Sequence, residues 1–303
     1  MSWLRVGPLS DDWEELVTSP GTHLTEVADR IATAYIGQTD TAAILLTGSA
    51  AEGMSDCFSD LDLIAYYERL PSEHELAASR TLIGVTSLRI SSGSEPGSMA
   101  IEEYVVQGIE CQVGHVTIGS WERDLASVLD QHMPATLTEK AIIGLLGGVA
   151  LHGSARIREW QDRAKSYPVG LAQATIERHL RFFPLWLAAE RWESRDATIF
   201  LHQMLADSSL NLLAVLAGLN RQYFSAFQFK RLHRFVSTMP LVPERLADRL
   251  DELFSLDPAN AGIALERLVN ETVTLVETYM PTIDTVPVRR QIGVRHRPWS
   301  SQN

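Results

Sequence analysis

The tightest constraint on the fold is the run Asp-Leu-Asp-Leu-Ile-Ala-Tyr-Tyr at 60–67. Its alternation has a period of two, so Asp60 and Asp62 share one face of a strand and Leu61 and Leu63 the other. From Leu63 on the run is wholly apolar, as a strand buried on both faces must be. Its first half therefore shows a polar face to a cleft. A dozen residues upstream, Ala-Ala-Ile-Leu-Leu-Thr at 42–47 is a second buried strand that ends at Gly48. Two such strands require a sheet with layers packed against it, which excludes a purely helical chain.

The neighbouring segments extend this picture. Thr22 is placed to N-cap a helix whose apolar positions Leu24, Val27, Ile31 and Tyr35 follow helical spacing. Residues 71–80 read as a helix, and 91–98, Ser-Ser-Gly-Ser-Glu-Pro-Gly-Ser, as a loop. Strands are expected at 99–106 and 109–118, joined at Gln107-Gly108. After Trp121 the character changes. Residues 137–150, 170–192, 197–218, 226–238, 243–254 and 258–280 read as helices between Gly, Pro and Asn punctuation. The expected fold is α+β: a mixed-sheet domain over 1–133, then an all-helical domain over 134–303 that ends in an arginine-rich tail.

Composition excludes several classes. No stretch of about 18 uncharged apolar residues is present, so no membrane span is expected. The first residues meet acids before any apolar run, so no signal peptide is expected. Two cysteines, Cys57 and Cys111, are too few for a disulfide scaffold or a four-cysteine metal site, and a reducing cytoplasm is the expected compartment. The formal charge of the 303-residue chain is −12. From Val286 onward lie Arg289, Arg290, Arg295 and Arg297 and no acid, so the rest of the chain carries −16. So acidic a body repels a phosphate backbone and suits a cationic small molecule, which argues against general nucleic-acid binding. The tail reads as a loose or docked end before it reads as a binding arm.

The chemistry sits in residues 45–67. Gly48 allows a close backbone approach to a phosphate, and Ser49 adds a hydroxyl where a helix is expected to begin. Asp60 and Asp62 lie roughly 6.5 Å apart along their strand and face the same way. Two hard oxygen ligands beside a phosphate cradle are what a Mg²⁺-nucleoside triphosphate requires. Ser59 and Ser55 are hydroxyl candidates beside them. Either half alone is matched by a solvated turn; their conjunction is far rarer, and two carboxylates at the mouth of a buried strand call for a cation.

Gly48-Ser49 followed by Ser59-Asp60-Leu61-Asp62-Leu63 resembles the signature of the DNA polymerase β-like nucleotidyltransferase superfamily. With the helical C-terminal half, the layout resembles the antibiotic nucleotidyltransferases of aminoglycoside and lincosamide type. Leu151-His152-Gly153, Tyr167-Pro168 and Leu219 to Phe224 ahead of Lys230 are further, less specific points of resemblance. The resemblance implies Mg²⁺-dependent transfer of a nucleoside monophosphate, AMP from ATP in the usual case, to a hydroxyl of a small molecule, with the site between the two domains. Asp60 and Asp62 would hold metal, and Gly48, Ser49 and Ser59 would bind the triphosphate. Lys230 would reach its phosphates or, equally, snorkel at the surface.

A third acid is implied on a later strand, here Ile109 to Val116. Counting from the hairpin glycine puts Gln112 nearest that position, and Gln cannot act as a base. Glu110 shares its face one pleat earlier and is the expected third acid; Glu102 and Glu103 across the hairpin are further candidates. Two rival functions remain: transfer to a protein or tRNA acceptor, for which the arginine tail speaks, and triphosphate binding without turnover, for which Gln112 speaks. Among weaker signals, His115, His152, Cys57 and Cys111 read as packing or turn residues. Trp186, Trp192 and Phe200 read as helical core. The stripe Asp196, Gln203, Asp207 reads as solvated, with a cationic acceptor as its functional alternative.

Overall fold

The computed structural model describes residues 20–92, 97–297 and 299. Six strands, β1 (Thr41–Thr47), β2 (Leu61–Tyr67), β3 (Thr86–Ser92), β4 (Met99–Val106), β5 (Ile109–Thr117) and β6 (Val149–His152), form one mixed sheet in the spatial order 3-4-5-2-1-6. Only β2 and β5 run parallel; the other neighbours are antiparallel. The hairpin between β4 and β5 turns at Gln107 (φ +54°) and Gly108 (φ +81°), both left-handed as a tight two-residue turn requires. With a helical second half, the class is α+β.

The helices are α1 (Pro20–Gln38), α2 (Gly48–Ala51), α3 (Glu73–Ile83), α4 (Ile118–Leu129), α5 (Thr136–Gly147), α6 (Ser154–Lys165), α7 (Val169–His179), α8 (Glu190–Glu193), α9 (Thr198–Leu219), α10 (Leu232–Ser237), α11 (Leu246–Leu253), α12 (Pro258–Tyr279) and α13 (Val286–Arg289). Thr22 lies inside the first turn of α1 rather than at its cap. Ser72 caps α3 through a reciprocal pair with Glu75. The expected helix over 170–192 breaks after His179, because Pro184 cannot continue the ladder; a 3-10 turn (Leu185–Ala188) and α8 take its place. Similarly, 226–238 splits into a 3-10 helix (Ala226–Arg231) and α10. Of the expected loop over 91–98, Ser91 and Ser92 close β3, while 93–96 lie outside the described residues.

The chain divides into two compact units, one of residues to 123 with 144–163, the other of 124–143 with 164 onward. In the first, α1 and α3 cover one face of the sheet. Val27, Ile31 and Tyr35 pack there on Ile44, Leu46, Leu61, Leu63 and Val113. On the opposite face, Tyr66 packs against Trp121 and Trp160 at ring distances of 6.0 and 4.7 Å. β6 joins the β1 edge, and Gly153 (φ +62°) makes that possible: a Cβ there would stand 2.3 Å from the Ala42 carbonyl oxygen.

In the second unit α9 and α12 are the central helices of a core that holds Trp186, Leu212, Leu216, Leu265 and Val269. By length and composition α9 could also cross a membrane, although it carries Asp207; half of its most apolar window is buried in the protein. The arginine tail is docked rather than loose. Arg289 pairs with Glu277 and Arg295 with both carboxylate oxygens of Glu266, while Arg290 and Arg297 stay exposed.

Candidate functional site

The site is built on the open end of the sheet. Thr47 on β1 pairs with Asp62 on β2, Asp62 with Gln112 on β5, Gln112 with Glu103 on β4, and Glu103 with Arg89 on β3. Paired residues of neighbouring strands point the same way, so these five side chains form one row across the sheet. One pleat earlier lie Asp60, just ahead of β2, and Glu110 on β5, both exposed. The face shared by Asp62, Glu110 and Gln112 follows from this register, while Asp60, one residue ahead of β2, lines the same groove as Glu110 and Gln112.

Gly48 is the other half of the site. Its φ of +72° is left-handed, and a Cβ on it would stand 2.9 Å from Asp62 Oδ2. Any other residue would be strained there and would push the carboxylate aside. The turn after β1 is thus held directly against Asp62, and α2 begins in it with Ser49 half-buried at its second position. Ser59 is committed elsewhere: its hydroxyl donates to Asp56 Oδ1 at 3.1 Å and accepts from the Asp56 N–H at 3.0 Å. It shapes the turn that delivers Asp60. The Ser55 hydroxyl is buried with no hydrogen-bond partner among the described residues.

The register settles where the third-acid candidates stand. Gln112, not Glu110, lies beside Asp62, and its amide Nε2 donates to Glu103 Oε1 at 3.2 Å. Glu103 is in turn paired with Arg89 at 3.2 Å. Glu110 flanks Asp60. Glu102 belongs to the opposite face and is fully buried, so it is no candidate. Asp60, Arg89, Glu103, Glu110 and Gln112 line an open groove of about 670 Å³ together with Cys111 and Tyr104. Burial, helped by the charges of Asp60 and Asp62, pushes the Cys111 thiol up to about 12, so it stays protonated and is no nucleophile.

Among the described residues, no three His, Cys, Asp or Glu side chains come together as a metal cage. The two aspartates fit Mg²⁺ all the same, because that ion is commonly held by one or two carboxylates and completes its shell with phosphate oxygens and water. Gln112 could add a carbonyl oxygen.

The remaining candidates have structural roles. His115 is buried between Tyr67 (Nδ1 at 3.0 Å) and Glu102 (Nε2 at 3.3 Å). His152 lies on β6, not at a helix end. Cys57 is exposed and Cys111 buried, and both are free thiols. Trp186 and Trp192 are core, their indole N–H groups donating to the carbonyls of Gln291 and Leu185. Asp196, Gln203 and Asp207 are exposed. Lys230 sits in the second unit, its Nζ 5.4 Å from the Phe227 ring. The docking of Val288, Arg289 and Arg295 is the feature that sequence reasoning left open, and its signal was the surplus of acids on α12.

No family model and no curated protein matches the chain. Among solved structures it is similar to a nucleotidyltransferase-like protein from Exiguobacterium sibiricum 255-15, with 14% identity, coverage of 91% of this chain and 82% of that one, and a TM-score of 0.35. At that level the likeness carries no residue role to this chain.

Proposed function

We propose that this chain transfers a nucleoside monophosphate, AMP from ATP in the leading case, to a hydroxyl of a small, antibiotic-like molecule. The observation that supports it best is the contact of Gly48 with Asp62, which joins a close-approach turn to a pair of carboxylates on one strand face. Asp60 and Asp62 are the metal ligands in this reading, and Gly48 and Ser49 line the triphosphate. Bound Mg²⁺ would supply charge neutralisation at the α-phosphate and the departing pyrophosphate. Glu110, exposed beside Asp60, takes the proton of the acceptor hydroxyl. The acidic groove favours a cationic acceptor and disfavours RNA.

One observation favours a second reading. Gln112 occupies the place beside Asp62 where a base would serve best, and an amide cannot take a proton. A triphosphate-binding regulator without turnover fits that feature. Incubation with ATP labelled at the α- or the γ-phosphate, Mg²⁺ and a panel of aminoglycosides and lincosamides separates the two. Transfer of α label with release of γ label as pyrophosphate is the expected outcome. Binding of ATP without product from any acceptor would favour the regulator.

A further inference from the structure

Only three of the 26 cationic residues of this chain are lysines: Lys140, Lys165 and Lys230. Two of them meet. Lys140 Nζ, from α5, stands 4.0 Å from the centroid of the Phe227 ring, and Lys230 Nζ, from the 3-10 helix that holds Phe227, stands 5.4 Å from it. The two elements are tied together next door. Buried Glu139, adjacent to Lys140, accepts the N–H groups of Ala135 and of Phe224. Ser225 then fixes the turn by accepting the Phe227 N–H. The position of Lys140 over the ring is therefore set by a buried carboxylate bridge.

Two ammonium groups on one ring repel each other, and a phenyl face returns little at an exposed site. Several other cations of this unit are paired with acids, as Arg249 is with Glu271, Arg289 with Glu277 and Arg295 with Glu266. Among the described residues, neither Lys140 nor Lys230 has a carboxylate partner. In a chain of net charge −12 this is a local concentration of unneutralised positive charge. Phe227 itself is half-exposed, so the pair is open to a ligand. Two compact point charges side by side match a ligand with several anionic oxygens in a short span, which is the chemistry of a phosphate chain.

We propose that Lys140 and Lys230, gathered on Phe227, form a binding site for a di- or triphosphate chain in the second unit. The resemblance implies a phosphate role for Lys230 alone; the convergence adds Lys140 and the ring. The residues of the site all lie in the second unit, and its test reads binding rather than transfer.

The test is a calorimetric titration of the full chain with inorganic tripolyphosphate, and separately with ATP and tRNA, without metal. Lys140→Gln and Lys230→Gln should each weaken tripolyphosphate binding about tenfold, the scale of a lost charge-assisted contact. Lys165→Gln, an equal loss of charge elsewhere, should leave it unchanged, and thermal unfolding should show all three variants folded. Equal affinities in all three variants and wild type would overturn the site. So would a loss confined to Lys230→Gln, which leaves Lys140 without a role. Lysine-dependent binding of tRNA without any of tripolyphosphate would assign the pair to nucleic acid instead. A chain that binds tripolyphosphate through both lysines yet transfers no nucleotide would keep the site and lose the transfer reading.

Discussion

On one face of the first unit's sheet, Glu102 is fully buried and every oxygen is occupied. Tyr35 donates to it at 2.6 Å, Arg80 pairs with it, and His115 Nε2 lies 3.3 Å away. On the other face its sequence neighbour Glu103 is half-exposed, in a row with Asp62 and Gln112 and one pleat from Asp60 and Glu110. Burial alone would push the Glu102 carboxyl up, but hydrogen bonds from His115, Tyr35 and Arg80 bring it below the ordinary glutamate value. The buried face thus meets the needs of its carboxylate internally. On the open face Asp60, Glu103 and Glu110 line one groove with Arg89, which pairs with Glu103, a net negative set that suits a cation. One residue, half a strand period, separates the buried acid from the half-exposed one.

The largest effect should come from removing the structural acid. Glu102→Ala takes from Arg80, whose side chain is 10% exposed, the buried one of its two carboxylate partners and leaves it only Glu73. It also removes the acceptor of Tyr35, so it should cost about 3–5 kcal/mol in denaturant unfolding. A cost under 1 kcal/mol would break the distinction between the faces. The pH dependence carries the same sign. Because the folded carboxyl titrates below 4.5, its contribution is complete above that value and is lost as pH falls through the folded value, so wild type should lose more stability on acidification than Glu102→Gln.

Next in size is the proposed base. Glu110→Gln should lower turnover about 10²-fold while Gln112→Ala changes it only a few-fold; the opposite ranking moves the third position to Gln112. Gly48→Ala should then cost about 1–2 kcal/mol of stability from its left-handed backbone, with weakened triphosphate binding from the displaced Asp62 carboxylate. The smallest effect belongs to the tail. The Arg289 and Thr285 hydrogen bonds hold the Glu277 carboxyl down at about 2. Glu277→Gln should cost less than about 1 kcal/mol at neutral pH, as partly exposed pairs do. That contribution is present above 4.5 and fades as pH falls toward 2.

Much of this contrast was legible in the residues. The alternation at 60–63 points two carboxylates the same way because side chains alternate along a regular strand, and Gln107-Gly108 announces a hairpin by its need for left-handed backbone. What was not legible had no pattern to read. β3, Thr-Ser-Leu-Arg-Ile-Ser-Ser, is exposed along its whole length and alternates only at Leu88 and Ile90, too short a pattern to mark a strand. β6 is four residues long and follows Gly147-Gly148 so closely that it read as the end of a helix. The amphipathic α4 and the polar α6 were passed over altogether. The neighbour of Asp62 depends on the parallel register of β2 and β5, a long-range pairing that no local spacing contains.

The central claim is that Asp60 and Asp62 hold the metal for nucleotidyl transfer while contributing little to the fold. The direct measurement is the rate of α-label transfer from ATP to a responsive acceptor by wild type, Asp60→Asn and Asp62→Asn, each with its unfolding midpoint. Both variants should lose about 10²-fold or more in rate with midpoints close to wild type. Wild-type rates in both variants would contradict the account.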